Sequence, residues 1–265
     1  MTSIDIHFCE ELIKHVGVRL YEMSKREKSS SEDLFNQLKE HEDWATKKLK
    51  VTLTKKYPNI HWFISPFETE LLHKVEIQGE YWVCNVTFGS IQFLQGIPSY
   101  AINLCLIRDG QPVLSFVYDP SQQELFYAIA GEGAFLNGKQ IQVTQTVKLK
   151  DAIISTTSPS YLGKNTELTN LTLRGMALII PQAFSFKILG SAPLQLAYIA
   201  CGRLDGYWEF GVNFYNWVAG ALLVQEAGGV VSNVQVETFT ESVSGIIAAN
   251  SDMHQEIEKE IQIIQ

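Results

Sequence analysis

Apolar residues Phe8, Leu12, Val16, Leu20 and Met23 recur at steps of three and four, which predicts a helix over residues 4–24 with one buried face. The stretch SKREKSSSED over residues 24–33 is polar and charged and reads as a loop. A second helix is expected over residues 40–56. Trp44, Ala45, Leu49, Thr52 and Leu53 would turn inward, and Pro58 would stop it. From residue 60 to 143 the pattern shifts to short apolar runs at 61–65, 81–85, 100–107, 113–118 and 124–130. Asp109-Gly110 falls between two of these runs and Asn137-Gly138 follows later; both dipeptides suit tight hairpins. This part reads as an antiparallel meander.

After residue 150, apolar runs at 152–156, 184–189, 204–209, 230–231 and 246–249 alternate with helical patterns. Helices are expected over 168–177, from a Ser191 cap to Cys201, over 215–227, and from a Ser251 cap onward. Such alternation implies a partly parallel sheet covered by helices. The division predicted is 1–147, two helices with an antiparallel sheet, and 148–265, an α/β unit.

One stretch carries candidate chemistry. Residues 82–93, WVCNVTFGSIQF, read as a strand, a turn at Phe88-Gly89, and a helix start capped by Ser90. A strand that turns into a helix N-terminus offers unpaired backbone N–H groups to an anion. Phosphate enzymes often place metal-holding acids at such a turn, and this stretch has none.

Composition narrows the classes. The chain has 265 residues, 46% hydrophobic, with a net charge of −8 and no long basic run, so a nucleic-acid footprint is not expected. Cys9, Cys84, Cys105 and Cys201 match no zinc or redox spacing and read as free thiols in a reducing compartment. Residues 1–17 carry Asp5, Glu10 and Glu11 among their apolar positions, unlike a secretory signal, and no apolar run reaches membrane-spanning length. A cytoplasmic location is the expectation. The six histidines lack ligand spacing, and neither a Walker lysine nor a Gly-x-Ser-x-Gly elbow occurs.

Five strings in order resemble the inositol monophosphatase family. They are the 82–93 stretch with Gly96-Ile97-Pro98; Val117-Tyr118-Asp119-Pro120 with the 124–138 segment; Gly190-Ser191-Ala192; residues 202–209 ending in Glu209; and residues 219–229. The resemblance implies a layered αβαβα sandwich, an antiparallel sheet region followed by a mixed-sheet α/β region, and a homodimer. It also implies a family of Mg²⁺-dependent, lithium-sensitive phosphomonoesterases, whose metal ions polarise phosphate and generate the attacking hydroxide.

The resemblance places the family's metal-binding Glu at Pro66, its two metal-binding Asp residues at Asn85 and Phe88, and a further Asp at Asn216. The residue that orients the attacking water falls at Glu42 or Asp43, and Ser90 keeps the hydroxyl of the family's Thr. Hard divalent ions want charged oxygen ligands, and these four positions supply none. The reading is therefore a phosphatase-like pseudoenzyme that needs no cofactor and binds a protein or a small polar ligand. Gly89, Ser90, Ser191, Ala192 and Glu209 are its candidate ligand-binding residues. The alternative is a working inositol- or sugar-phosphate phosphatase in which Glu68 or Glu70 joins Asn85 and Asn216 around relocated Mg²⁺.

Overall fold

The computed structural model describes residues 3–25, 31–63, 79–158, 166–212, 214–235, 237–240 and 244–264. Helix α1 (Ile6–Ser24) starts where Asp5 accepts the Phe8 N–H at 3.0 Å, and it buries Cys9, Leu12, Ile13, Val16 and Leu20. Helix α2 (Ser31–Lys56) begins well before the expected residue 40. The polar stretch assigned to a loop thus contributes Ser31, Glu32 and Asp33 to a helix. Residues 31–56 contain no Gly or Pro, so the chain lacks a helix breaker there and polarity alone does not end the helix. The rest of the expected loop, residues 26–30, lies outside the described residues.

The first sheet runs in sequence order: β1 (His61–Trp62), β2 (Glu80–Phe88), β3 (Ala101–Arg108), β4 (Gln111–Asp119), β5 (Glu124–Ile129), β6 (Gly133–Leu136) and β7 (Lys139–Ile141). All its pairings are antiparallel except β1 with β2. Asp109 and Gly110 take φ of 47° and 76°, and Asn137 and Gly138 take 47° and 77°. Both hairpin signals therefore reach the left-handed region that a tight, right-twisting hairpin demands. Between β2 and β3 sits the short helix α3 (Ser90–Gln95).

The second sheet has β8 (Ile153–Thr156), β9 (Ser185–Ile188), β10 (Gly206–Phe210), β11 (Val230–Ser232) and β12 (Gly245–Ala249), in the order β11-β12-β10-β8-β9. Strand β8 runs parallel to β9 and β10, whereas β12 is antiparallel to β10 and β11. The sheet is mixed, as the alternating pattern requires. The remaining helices are α4 (Thr166–Ile179), α5 (Ala192–Ala200), α6 (Phe214–Glu226) and α7 (Ser251–Gln262).

Contacts stack these elements in five layers: α1 and α2, the first sheet, α5 and α6, the second sheet, then α4 and α7. Burial explains the order. Helices α5 and α6 are apolar on nearly every face, and a helix of that kind needs a sheet on both sides. Their side chains form one core with Val83, Ala101, Cys105 and Phe126 of the first sheet and Tyr207, Ile246 and Ala248 of the second. A second core lies under α1 and α2, and a third under α4 and α7.

Two helix starts differ from the sequence reading. The cap of α7 is Asn250, whose Oδ1 accepts the Met253 N–H at 2.9 Å; Ser251 is the first helical residue. The cap position of α3 is Gly89 and not Ser90, and no side chain caps it. Gly89 has φ +104°, and a Cβ there would sit 2.8 Å from the Ser99 carbonyl oxygen. Only glycine fits that turn without strain, so the chain places its cap one residue earlier than a hydroxyl would.

Candidate functional site

The organising stretch is a bulged strand end. In β2 and β3, Asn85 pairs with Asn103 and Phe88 with Ala101, so Val86 and Thr87 together oppose Ile102. Such a bulge turns two successive side chains toward one face. Val86 enters the core under α1 and α2, and the Thr87 hydroxyl donates to the Glu42 carboxylate of α2. Thr87 is 2% exposed, and nothing in its sequence context marked it as the partner of Glu42. Burial pushes the Glu42 carboxyl up from its ordinary range; the Thr87 hydrogen bond opposes this and neighbouring Asp43, itself exposed, adds to it.

Asn85 holds the bulge together. Its N–H donates to Asn103 Oδ1 at 3.0 Å, and its own Oδ1 accepts the Thr87 N–H at 3.1 Å. The one oxygen that Asn85 could offer a cation is thus engaged by the backbone two residues on, an Asx-type turn. Phe88, the next residue to re-enter the ladder, packs on the core between the sheets.

Helix α6 brings Tyr215 and Asn216 to the same side of the first sheet. The Tyr215 ring lies 4.6 Å from that of Phe63, and Phe63 lies 5.8 Å from Tyr81. The Phe63 N–H donates to the Trp82 carbonyl at 2.8 Å and so fixes the end of β1 against β2. Phe63, Phe88 and Tyr215 all pack against the same core. Aromatic rings therefore gather on this side of the sheet, next to half-buried Asn85 and Asn216. Pro66, Glu68 and Glu70 lie outside the described residues.

Glu209 stands at the other side of α6. Its Oε2 accepts the Trp217 Nε1–H at 2.6 Å and a short bond from the Tyr207 hydroxyl. Tyr207 is fully buried, and burial followed by the adjacent Glu209 charge drives its phenol well above the ordinary range. A neutral Tyr207 must give its proton to Glu209, so it accepts from Thr157 at 3.0 Å. Thr157 in turn accepts from Gln195 Nε2 at 2.9 Å, and Gln195 also donates to the Leu189 carbonyl at 3.0 Å. The relay from Gln195 to Glu209 runs in one direction and uses every hydroxyl along it. At its far end the Ser191 hydroxyl and Gln195 Oε1, both buried, have no hydrogen-bond partner among the described residues. Ser191 opens α5 without making a capping bond, Ala192 follows it fully buried, and the Gln92 side chain of α3 lies against Gly190.

A family model described as the inositol monophosphatase family matches residues 87–265. The chain belongs to the inositol monophosphatase family. It is 34% identical over 182 residues to an inositol-1-monophosphatase of Mesorhizobium japonicum, covering 68% of this chain and 67% of that one. It is 32% identical over 239 residues to the Nus factor SuhB of Pasteurella multocida, covering 87% of each. Among solved structures, the extragenic suppressor protein suhB of Bartonella henselae superposes with a TM-score of 0.81 at 26% identity, over 95% of this chain and 96% of that one. A Thermotoga maritima IMPase matches in fold, with a TM-score of 0.80 at 23% identity over 98% and 97% of the two chains.

Active members of the inositol monophosphatase family hold Mg²⁺ with carboxylates. Of the positions where the resemblance places those carboxylates, Asn85, Phe88 and Asn216 are among the described residues. They do not fit the ion: one amide oxygen is engaged by Thr87, one position is a phenyl ring, and the third is neutral. A charge of +2 or more stripped of water needs counter-charge, and these three side chains supply none. Among the described residues no group of three His, Cys, Asp or Glu converges anywhere else. No helix among them is long and apolar enough to cross a membrane.

Proposed function

We propose that this chain is a pseudo-phosphatase, an inositol monophosphatase family member that acts by binding and not by hydrolysis. The observation that carries the reading is Asn85. Its carbonyl oxygen closes the β2 bulge, so the turn that would hold metal is held by a neutral amide instead. The aromatic packing of Phe88 and Tyr215 supports the same reading, because apolar contacts replace the ligand charges that would repel one another without metal.

Glu209 favours binding of a protein over binding of a polyol. In the family this position contacts substrate hydroxyls, whereas here two interior donors, Tyr207 and Trp217, engage its carboxylate. The relatives' names also divide between inositol-1-monophosphatase and Nus factor. Family membership therefore does not dictate hydrolysis as the working role. The protein acts in the cytoplasm, as a homodimer.

The test is hydrolysis of inositol-1-phosphate by purified protein with and without Mg²⁺. No Mg²⁺-dependent release of phosphate above the blank is expected. A Mg²⁺-dependent rate that disappears in Asn216→Ala would overturn the reading and favour the relocated-ligand alternative.

A further inference from the structure

The chain carries a net charge of −8, yet the outward face of α2 is basic over its last turns. Lys47, Lys48, Lys50 and Lys55 are all exposed. At 100° per residue they share one side of the helix with Val51 and Thr54, opposite the buried Ala45, Leu49 and Leu53. Val51 is 58% exposed at the middle of the group. Glu40 and Asp43 lie toward the N-terminal end of the same face, so the last turns are purely cationic.

The neighbouring helices treat their cations differently. Lys14 and Arg19 of α1 pair with Glu11 and Glu22, Lys259 of α7 pairs with Glu256, and Lys56 at the end of α2 pairs with Asp5. None of the four outward lysines has an acid partner among the described residues. The helix dipole favours cations at a C-terminus, but only modestly and over the last turn. Lys47, Lys48 and Lys50 lie further in, where that effect has faded.

We infer that this face of α2 docks an acidic amphipathic helix of a partner protein. Charge complementarity argues for an acidic partner, because cations arrayed over about 12 Å of helix match carboxylates at helical spacing. The exposed Val51 at the centre argues for a protein over a nucleic acid. A ring of charge around an apolar contact is the anatomy of a protein interface. A phosphate backbone would leave Val51 without a partner, and the face offers no arginine fork for phosphates. The inference stands independently of whether the centre at Asn85 binds metal.

The test uses the full chain and a fluorescent synthetic helix with glutamates on one face and leucines on the other, followed by anisotropy at low salt. Binding is expected to weaken about tenfold or more in the variant Lys47→Glu/Lys48→Glu/Lys50→Glu/Lys55→Glu, and to fall with added salt. Val51→Ser is expected to weaken it about threefold at unchanged charge. Lys148→Glu/Lys150→Glu, two exposed lysines elsewhere, should leave binding within about twofold of the parent. Circular dichroism confirms that each variant is folded. The inference is overturned by no binding to the parent chain, by equal loss in the Lys148/Lys150 variant, or by an unchanged affinity in the α2 variant. Tighter binding of an oligouridylate than of the acidic helix would equally overturn it, in favour of RNA.

Discussion

The Thr87 hydroxyl donates to the Glu42 carboxylate, joining the bulge of β2 to the middle of α2. The family resemblance places Glu42 or Asp43 beside the hydroxyl of Ser90, and in the structure the Glu42 carboxylate accepts from Thr87, which the extra residue in the bulge turns toward α2. This pairing makes Glu42 a titration probe of the fold. Its folded carboxyl is raised, chiefly by burial, so the protonated form is favoured in the folded state. Its contribution is therefore fully present below the unfolded value near 4.5 and is lost as pH rises through the folded value. Glu42→Gln keeps an acceptor for Thr87 and removes the titration. Thermal unfolding should show the variant gaining on the parent as the pH rises from about 4.5 to about 7.5. A gap that does not move with pH would refute the assignment.

Phe88 offers the clearest reversal. Phe88→Asp puts a carboxylate where a ring packs on the core between the sheets. We expect a loss of about 2–4 kcal/mol in chemical denaturation without metal. With Asn85→Asp and Asn216→Asp added, three acids crowd one region, and the melting temperature should fall further in chelator and recover in part with Mn²⁺. A Phe88→Asp protein as stable as its parent would show that the ring does not replace a ligand in the way described.

Strand β9 predicts the assembly. Among the described residues it is an edge of the second sheet, and Phe184 beside it and Ile188 at its end are 73% and 53% exposed. An unpaired edge flanked by apolar side chains is a template for pairing, and two copies related by a two-fold axis would pair antiparallel. Sedimentation at micromolar concentration should give a dimer. Phe184→Glu/Ile188→Glu should shift it to monomer. A monomeric parent chain would contradict this, as would a dimer unaffected by the substitutions.

Much of the fold was legible from the chain because local rules and tertiary packing agree. Asp109-Gly110 and Asn137-Gly138 adopt the left-handed turns their chemistry favours, and the apolar runs of α5 and α6 lie between two sheets. The early start of α2 was missed because a polar stretch reads as a loop until something breaks the helix, and nothing does. The caps at Gly89 and Asn250 were missed by one residue. At Gly89 the decisive contact, the Ser99 carbonyl, lies ten residues away. Within the candidate site, the neutral residues at Asn85 and Asn216 could be read directly. The Thr87–Glu42 and Trp217–Glu209 bonds could not, because a bulge and a helix packing angle decide them. A side chain's direction after a bulge is invisible to a strict two-residue period.

Isothermal titration of Mn²⁺ into the purified chain at neutral pH decides whether the turn after β2 supports a divalent metal site. No saturable heat is expected up to about millimolar Mn²⁺, since Asn85 is engaged by Thr87 and Phe88 offers no oxygen. Saturable binding of one or more Mn²⁺ per chain, abolished by Asn216→Ala, would contradict it.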